Sequence, residues 1–137
     1  MSGAVTVVLV EDNHAFRETL ELLFGLRDDI EVVASVGSGA EAIEVCARLE
    51  PDVVLVDYRM PGLNGAQTTA ELVRAAPYAR VVCLTASISG EEVDIVLAAG
   101  AVACITKDEH LDRIVAAIHD AAAKPRRAHL APETGSP

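Results

Sequence analysis

The sequence predicts an α/β fold, a doubly wound sheet of five parallel strands in the order 2-1-3-4-5 with helices on both faces. Three observations carry this. Five short apolar runs alternate with five stretches of helical periodicity, and right-handed crossovers place a helix between parallel strands. The runs are near-continuous in Val, Ile and Leu, as strands buried on both faces are. Two of them run into carboxylates, Val5 to Val10 into Glu11-Asp12 and Val53 to Val56 into Asp57, at the edge where open α/β sheets bind ligands.

Taken in order, Val5 to Val10 is the first strand, and Phe16, Leu20, Leu23 and Phe24 then recur at helical spacing until Gly25 or Asp28. Ile30 to Val36 is the second strand, followed by a helix over Ala40 to Leu49 that stops before Pro51. Val53 to Val56 is the third, with a helix from about Gln67 to Ala76 before Pro77. Val81 to Thr85 is the fourth, and its helix, Glu91 to Ala99, stops at Gly100. Val102 to Ile105 and a helix over His110 to Ala123 complete the pattern. Glycine past a helix end and proline beyond it are the expected terminators. Residues 1–123 therefore form one domain, while 124–137, with three prolines and no periodicity, reads as a flexible tail or linker.

Composition narrows the function. A chain of 137 residues that is 51% apolar is a single folded domain rather than a disordered one. No apolar run reaches the roughly 18 residues of a membrane span, and the start lacks a signal peptide's basic and apolar stretches, so a cytoplasmic protein is expected. A net charge of −10 repels nucleic acid, which excludes direct DNA binding by this segment. Cys46, Cys83 and Cys104 are odd in number and far apart, which suits neither a disulfide framework nor zinc. They are expected to be small core residues of a reducing compartment.

In the order 2-1-3-4-5, strands one and three are neighbours about 4.8 Å apart, so Glu11, Asp12 and Asp57 share one pocket. Three converging acids repel unless a hard cation is shared among them, and oxygen-only ligands suit magnesium. Strand four brings the Thr85 hydroxyl to the same edge, and strand five leads through Ile105-Thr106 to Lys107. A carboxylate nucleophile, a magnesium, a hydroxyl and an ammonium are what phosphoryl transfer requires. The pocket reads as a site for an aspartyl phosphate.

The segments Val8-Leu-Val-Glu-Asp-Asn13, Asp52-Val-Val-Leu-Val-Asp-Tyr-Arg-Met-Pro-Gly-Leu-Asn-Gly65, Leu84-Thr-Ala86 and Gly100-Ala-Val-Ala-Cys-Ile-Thr-Lys107 resemble the receiver domain of bacterial two-component response regulators, a flavodoxin-like fold. The resemblance covers about residues 4 to 123. It implies that Asp57 accepts phosphate from a histidine kinase, that Asp12, Asp57 and the Arg59 backbone carbonyl bind Mg2+ with Glu11 in support, and that Thr85 and Lys107 contact the phosphoryl group. It also implies a protein that is not an enzyme in the ordinary sense, catalysing only its own phosphorylation and dephosphorylation. A homodimer through helix four, strand five and helix five is a further implication. Asp-Tyr-Arg-Met-Pro-Gly and Lys107-Asp108 resemble the NarL/FixJ subfamily, whose receivers are attached to helix-turn-helix domains. DNA would then be reached only through a domain beyond residue 137, with a stand-alone relay as the alternative.

Two positions depart from the family pattern. Most receivers carry an aromatic residue three positions before the lysine, whose ring turns inward as the hydroxyl moves; here Cys104 stands at that switch position with Thr85. Because a thiol cannot sweep the volume of a ring, an inward shift of Thr85 is expected to be read out another way, such as through helix four alone. Many receivers have proline after the lysine, where this chain has Asp108, so a trans Lys107–Asp108 bond is expected.

Competing readings have specific residues behind them. Gly37-Ser-Gly-Ala-Glu-Ala42 fits the dinucleotide fingerprint G-x-G-x-x-A after a strand, but that strand is second in the domain, and Ser38 as a helix cap accounts for the turn. A magnesium-dependent phosphatase resembling the haloacid dehalogenases also uses a strand-end aspartate, yet its second acid is here Arg59. A degenerate receiver is disfavoured because no pocket residue is missing. His14 is expected to be an exposed bystander, and His110 and His119 have no evident partner.

Overall fold

The computed structural model describes residues 3–86 and 89–125. Strands β1 (Val5–Val10), β2 (Ile30–Val36), β3 (Val53–Asp57), β4 (Arg80–Thr85) and β5 (Ala103–Thr106) alternate with helices α1 (His14–Gly25), α2 (Gly39–Leu49), α3 (Gly65–Ala75), α4 (Gly90–Ala99) and α5 (Leu111–Ala122). The sheet has the expected order β2-β1-β3-β4-β5, and every neighbouring pair is parallel.

Strand pleating sends alternate residues to opposite faces. Val8, Val10, Val54, Val56 and Cys83 face one core layer with Ala42 and Cys46 of α2, Leu72 of α3 and Val96 of α4. Val7, Leu9, Val53, Leu55 and Val82 face the other with Leu20 and Phe24 of α1 and Ile114 and Ile118 of α5. Burying each large apolar side chain contributes about 1.5–3 kcal/mol. Both faces are covered, which is why the central runs read as continuous Val and Leu.

Four helices begin on a side-chain cap. Asn13, Ser38, Asn64 and Ser89 accept from the amides of Phe16, Glu41, Gln67 and Glu92. Gln67 returns a bond to the Asn64 amide, completing a capping box. This explains why α3 starts at Gly65, two residues before the expected Gln67: the turn-forming Asn64-Gly65 caps and opens it. His110 proves to be the N-cap of α5 rather than its first residue. β5 lies one residue later than expected, because Val102 donates to Val81 at the approach to the strand, and β3 takes in Asp57 itself.

Among the described residues no peptide bond is cis, Lys107–Asp108 included. No helix is long and apolar enough to cross a membrane among the described residues. Cys46 and Cys83 are buried as expected; Cys104 is only half-buried. The expected tail falls mostly on residues 126–137, outside the described residues. At its start, the Arg80 guanidinium donates to the Lys124 carbonyl at 2.7 and 3.1 Å.

Candidate functional site

Register brings the acids together. Val10 lies opposite Val56 in the β1–β3 pair, so Glu11 and Asp57 emerge side by side at the carboxyl edge. Glu11, Asp12 and Asp57 each place a carboxylate oxygen within 4.8 Å of the others. Glu11 and Asp57 are 3% and 5% exposed, whereas Asp12 is exposed. All the donors are oxygens, two are fixed by burial and one is open to solvent, a donor set that fits a hard divalent cation such as Mg2+.

The buried acids are anchored by the backbone around them. Glu11 Oε2 accepts from the Asn13 amide at 3.0 Å, and the Glu11 amide donates to Val36 at 3.0 Å. Arg17 reaches back from α1 to donate to the Glu11 carbonyl at 2.8 Å. Asp57 Oδ1 accepts a long bond from the Arg59 amide, 3.4 Å, and the Tyr58 amide donates to Leu84 at 2.7 Å. The loop then turns back, with the Gly65 amide donating to Tyr58 at 2.7 Å. A Cβ on Gly65 would stand 2.6 Å from Tyr58 Cα and 2.9 Å from the Asp57 carbonyl oxygen. Only glycine fits there.

Lys107 closes the pocket from β5. Its ammonium lies 2.8 Å from Glu11 Oε1 and 3.1 Å from Asp57 Oδ2, and 4.8 Å from the Phe16 ring centroid in a cation–π contact. The Lys107 amide donates to the Thr85 carbonyl at 2.8 Å, so the two strand ends are tied together. Thr85 is buried, 1% exposed. The ammonium therefore offsets part of the repulsion that sequence reasoning assigned wholly to a cation.

Burial pushes the Asp57 carboxyl up to about 6, with repulsion from Glu11 adding and Lys107 opposing. Repulsion between the like charges is thus second to desolvation. For Lys107, burial works against the charged form, yet the Glu11 hydrogen bond and the attraction of both acids outweigh it and raise the pKa.

Besides the pairing of Lys107 with Glu11, sequence reasoning missed two long-range ion pairs. Arg59 Nη2 pairs with Glu92 Oε2 of α4 at 2.5 Å, linking the loop after Asp57 to the first turn of α4. His119, expected to be unpartnered, lies 2.8 Å from Asp29 Oδ2, and Arg27 holds the same carboxylate at 2.8 and 3.0 Å. Both pairs join residues distant in sequence, which periodicity cannot reveal. His14 lies 2.9 Å from Glu18 with its side chain 71% exposed, a surface pair. In the turn of the dinucleotide fingerprint, Ser38 caps α2 and a Cβ on Gly39 would strike Thr68 of α3, so these residues serve helix capping and close helix packing. At Cys104, β5 lies directly opposite Cys83 of β4.

Comparison with known proteins agrees with this geometry. The response regulator receiver domain family matches residues 7–119. The chain is 35% identical to the transcriptional regulatory protein YhcZ of Bacillus subtilis over 80% of its own length and 51% of that protein's. It is 33% identical to the nitrate/nitrite response regulator NarL of Escherichia coli K12, over 86% of its own length and 55% of that protein's. It thus spans about half the length of these curated relatives. Among solved structures, the signal receiver domain of a NarL response regulator from Mycobacterium tuberculosis superposes with a TM-score of 0.84 at 34% identity, covering 89% of this chain and 98% of that one.

Proposed function

The chain belongs to the response regulator receiver domain family, and from that premise we propose that it is a phosphorelay receiver whose Asp57 takes a phosphoryl group from a histidine kinase. The observation that carries this reading is the single Lys107 ammonium set between Asp57 and Glu11, beside an acid triad at the end of β1 and β3. A site that holds a nucleophilic carboxylate, a cationic side chain and an open oxygen-donor cluster is arranged for charge that arrives on phosphoryl oxygens.

Glu11, Asp12, Asp57 and the Arg59 backbone carbonyl are the residues that would hold Mg2+, which when bound supplies positive charge to the phosphoryl oxygens. An ionised Asp57 oxygen forms the new bond to phosphorus as the bond from phosphorus to the donor's nitrogen breaks, and the electron pair leaves with that nitrogen. Lys107, already within 3.1 Å of Asp57, then pairs with a phosphoryl oxygen, and the Thr85 hydroxyl donates to another. Hydrolysis of the acyl phosphate by water returns the free carboxylate and makes the signal transient.

The proposed output is transcriptional, through a DNA-binding domain beyond residue 137, since relatives of about twice the aligned length, YhcZ and LnrK of Bacillus subtilis, are named as transcriptional regulatory proteins; the −10 charge of this segment leaves DNA to that other domain. Cytoplasmic placement follows from such a partner. A homodimer through α4, β5 and α5 is supported by Ile95 and Leu97, 45% and 41% exposed on α4.

Incubation with acetyl phosphate and Mg2+ tests the reading. One phosphoryl group per chain, absent in Asp57→Asn, is the expected result. Release of many equivalents of phosphate per chain would instead favour the phosphatase reading.

A further inference from the structure

Cys83 and Cys104 stand directly opposite one another in the β4–β5 pair. Register-matched residues of parallel strands point to the same face, and both side chains pack against the same core layer, that of α2, α3 and α4. Neighbouring strands run about 4.8 Å apart, within the roughly 4.4–6.8 Å that separates the Cα atoms of a disulfide. Cys83 is fully buried and Cys104 half-buried. Cys46, in the same layer, belongs to α2 and has no cysteine opposite it.

We propose that Cys83 and Cys104 form an oxidisable dithiol, a modification site that closes to a disulfide under peroxide and ties β4 to β5 behind the phosphoryl-binding residues. The two thiols are not equivalent. The proximity of the two thiols raises Cys83 and lowers Cys104, and Cys104 is the more exposed. Reactivity follows thiolate character and access, so Cys104 is attacked first. Its sulfur displaces one oxygen of hydrogen peroxide to become a sulfenic acid, and water leaves. The Cys83 sulfur then attacks that sulfur; the S–S bond forms, the S–O bond breaks, and the departing hydroxide takes the Cys83 proton as a second water. Two thiols lose two electrons and the peroxide gains them.

The position gives the bond its consequence. Cys83 lies two residues before Thr85 and Cys104 three before Lys107, and the Thr85 carbonyl already accepts from the Lys107 amide. A covalent tie one step behind fixes the spacing of the two strand ends that must close on a phosphoryl group. This regulatory part rests on the receiver reading; the disulfide itself does not. Misplacement by about 1 Å at a reacting centre costs up to about 100-fold in rate, so labelling of the oxidised chain is expected to be slower by about tenfold.

The full chain, reduced and then treated with hydrogen peroxide at neutral pH, should lose two hydrogens in intact mass. Trypsin leaves both cysteines on the peptide between Arg80 and Lys107, and further cleavage at Glu91 and Glu92 separates them, so the two fragments should remain joined until reductant is added. Cys46→Ala should behave like the parent, while Cys104→Ser and Cys83→Ala, each checked for native circular dichroism, should not form the link. Free thiols at 83 and 104, sulfinic acid at Cys104, or dimers joined through Cys104 would each overturn the proposal. In parallel, acetyl phosphate labelling is timed for reduced and oxidised chains. Equal rates in a verified disulfide form overturn the regulatory part, and absence of labelling in the reduced chain overturns the receiver reading alone.

Discussion

The Lys107 ammonium lies 3.1 Å from Asp57 Oδ2, and the same nitrogen is 2.8 Å from Glu11 Oε1. One cation thus sits between two buried acids. Removing it in Lys107→Ala should raise the Asp57 pKa above its value of about 6, because the opposing interaction is lost. Carbon NMR titration of the aspartate carboxyls checks this. Phosphate labelling should persist in that variant, with a weaker conformational response.

The raised Asp57 pKa has a definite sign for stability. The folded chain binds this proton up to about pH 6, the unfolded chain only to about its ordinary 3.8. Between those limits the native state holds more protons at Asp57, so the contribution of this group to stability is fully present below about pH 4 and is lost as pH rises through about 6. Asp57→Asn should flatten that decline and gain about 1–3 kcal/mol at pH 7 without metal. Urea unfolding of both proteins across pH 4 to 7 decides it.

Metal binding runs against the same proton. Because ligating carboxylates must be ionised, Mg2+ affinity should weaken as pH falls through about 6, as read by a calorimetric titration at several pH values. Chelation of the metal should abolish labelling and restore it on readdition.

Gly65 is placed where a methyl group meets backbone rather than a yielding side chain, 2.6 Å from Tyr58 Cα. Gly65→Ala should cost about 1–3 kcal/mol and slow labelling, since the loop that orients Asp57 must shift. Gly62, at φ +77 with open space around its Cα, offers the contrast. Gly62→Ala should lower stability by about 1 kcal/mol and leave the labelling rate near that of the parent.

Arg59 and Glu92 join the loop after Asp57 to α4. The Arg59 side chain is 65% exposed, so its loss should change stability by less than about 1 kcal/mol. Its loss should nevertheless reduce the phosphorylation-induced amide shifts in α4. Equal α4 shifts in Arg59→Ala and parent would place the coupling elsewhere, for instance through Thr85 and β5.

The architecture was legible because both faces of the central strands are covered, as the buried runs of β1 and β3 show, while Ile30 to Val36 at the sheet edge was marked by its β-branched composition. Boundaries slipped where hydrogen bonding rather than hydropathy sets them, as at Asn64 before α3 and His110 before α5. The acids, Thr85 and Lys107 could be found from their places at strand ends. The pairing of Lys107 with Glu11 could not, since nothing in spacing says which acid a flexible ammonium will choose. Arg59 to Glu92 and His119 to Asp29 were hidden for the same reason, each joining surfaces that only the folded chain brings together. Cys83 opposite Cys104 needed the register of β4 and β5, which a one-residue shift in β5 would have changed.

Borohydride reduction of the labelled protein identifies the phosphoryl acceptor, because it converts an aspartyl phosphate to homoserine at the residue that carried it. After acetyl phosphate and Mg2+, peptide sequencing should find homoserine at position 57 and aspartate at position 12. Homoserine elsewhere, or phosphate retained on His14 or another nitrogen with Asp57 intact, would show that Asp57 is not the acceptor.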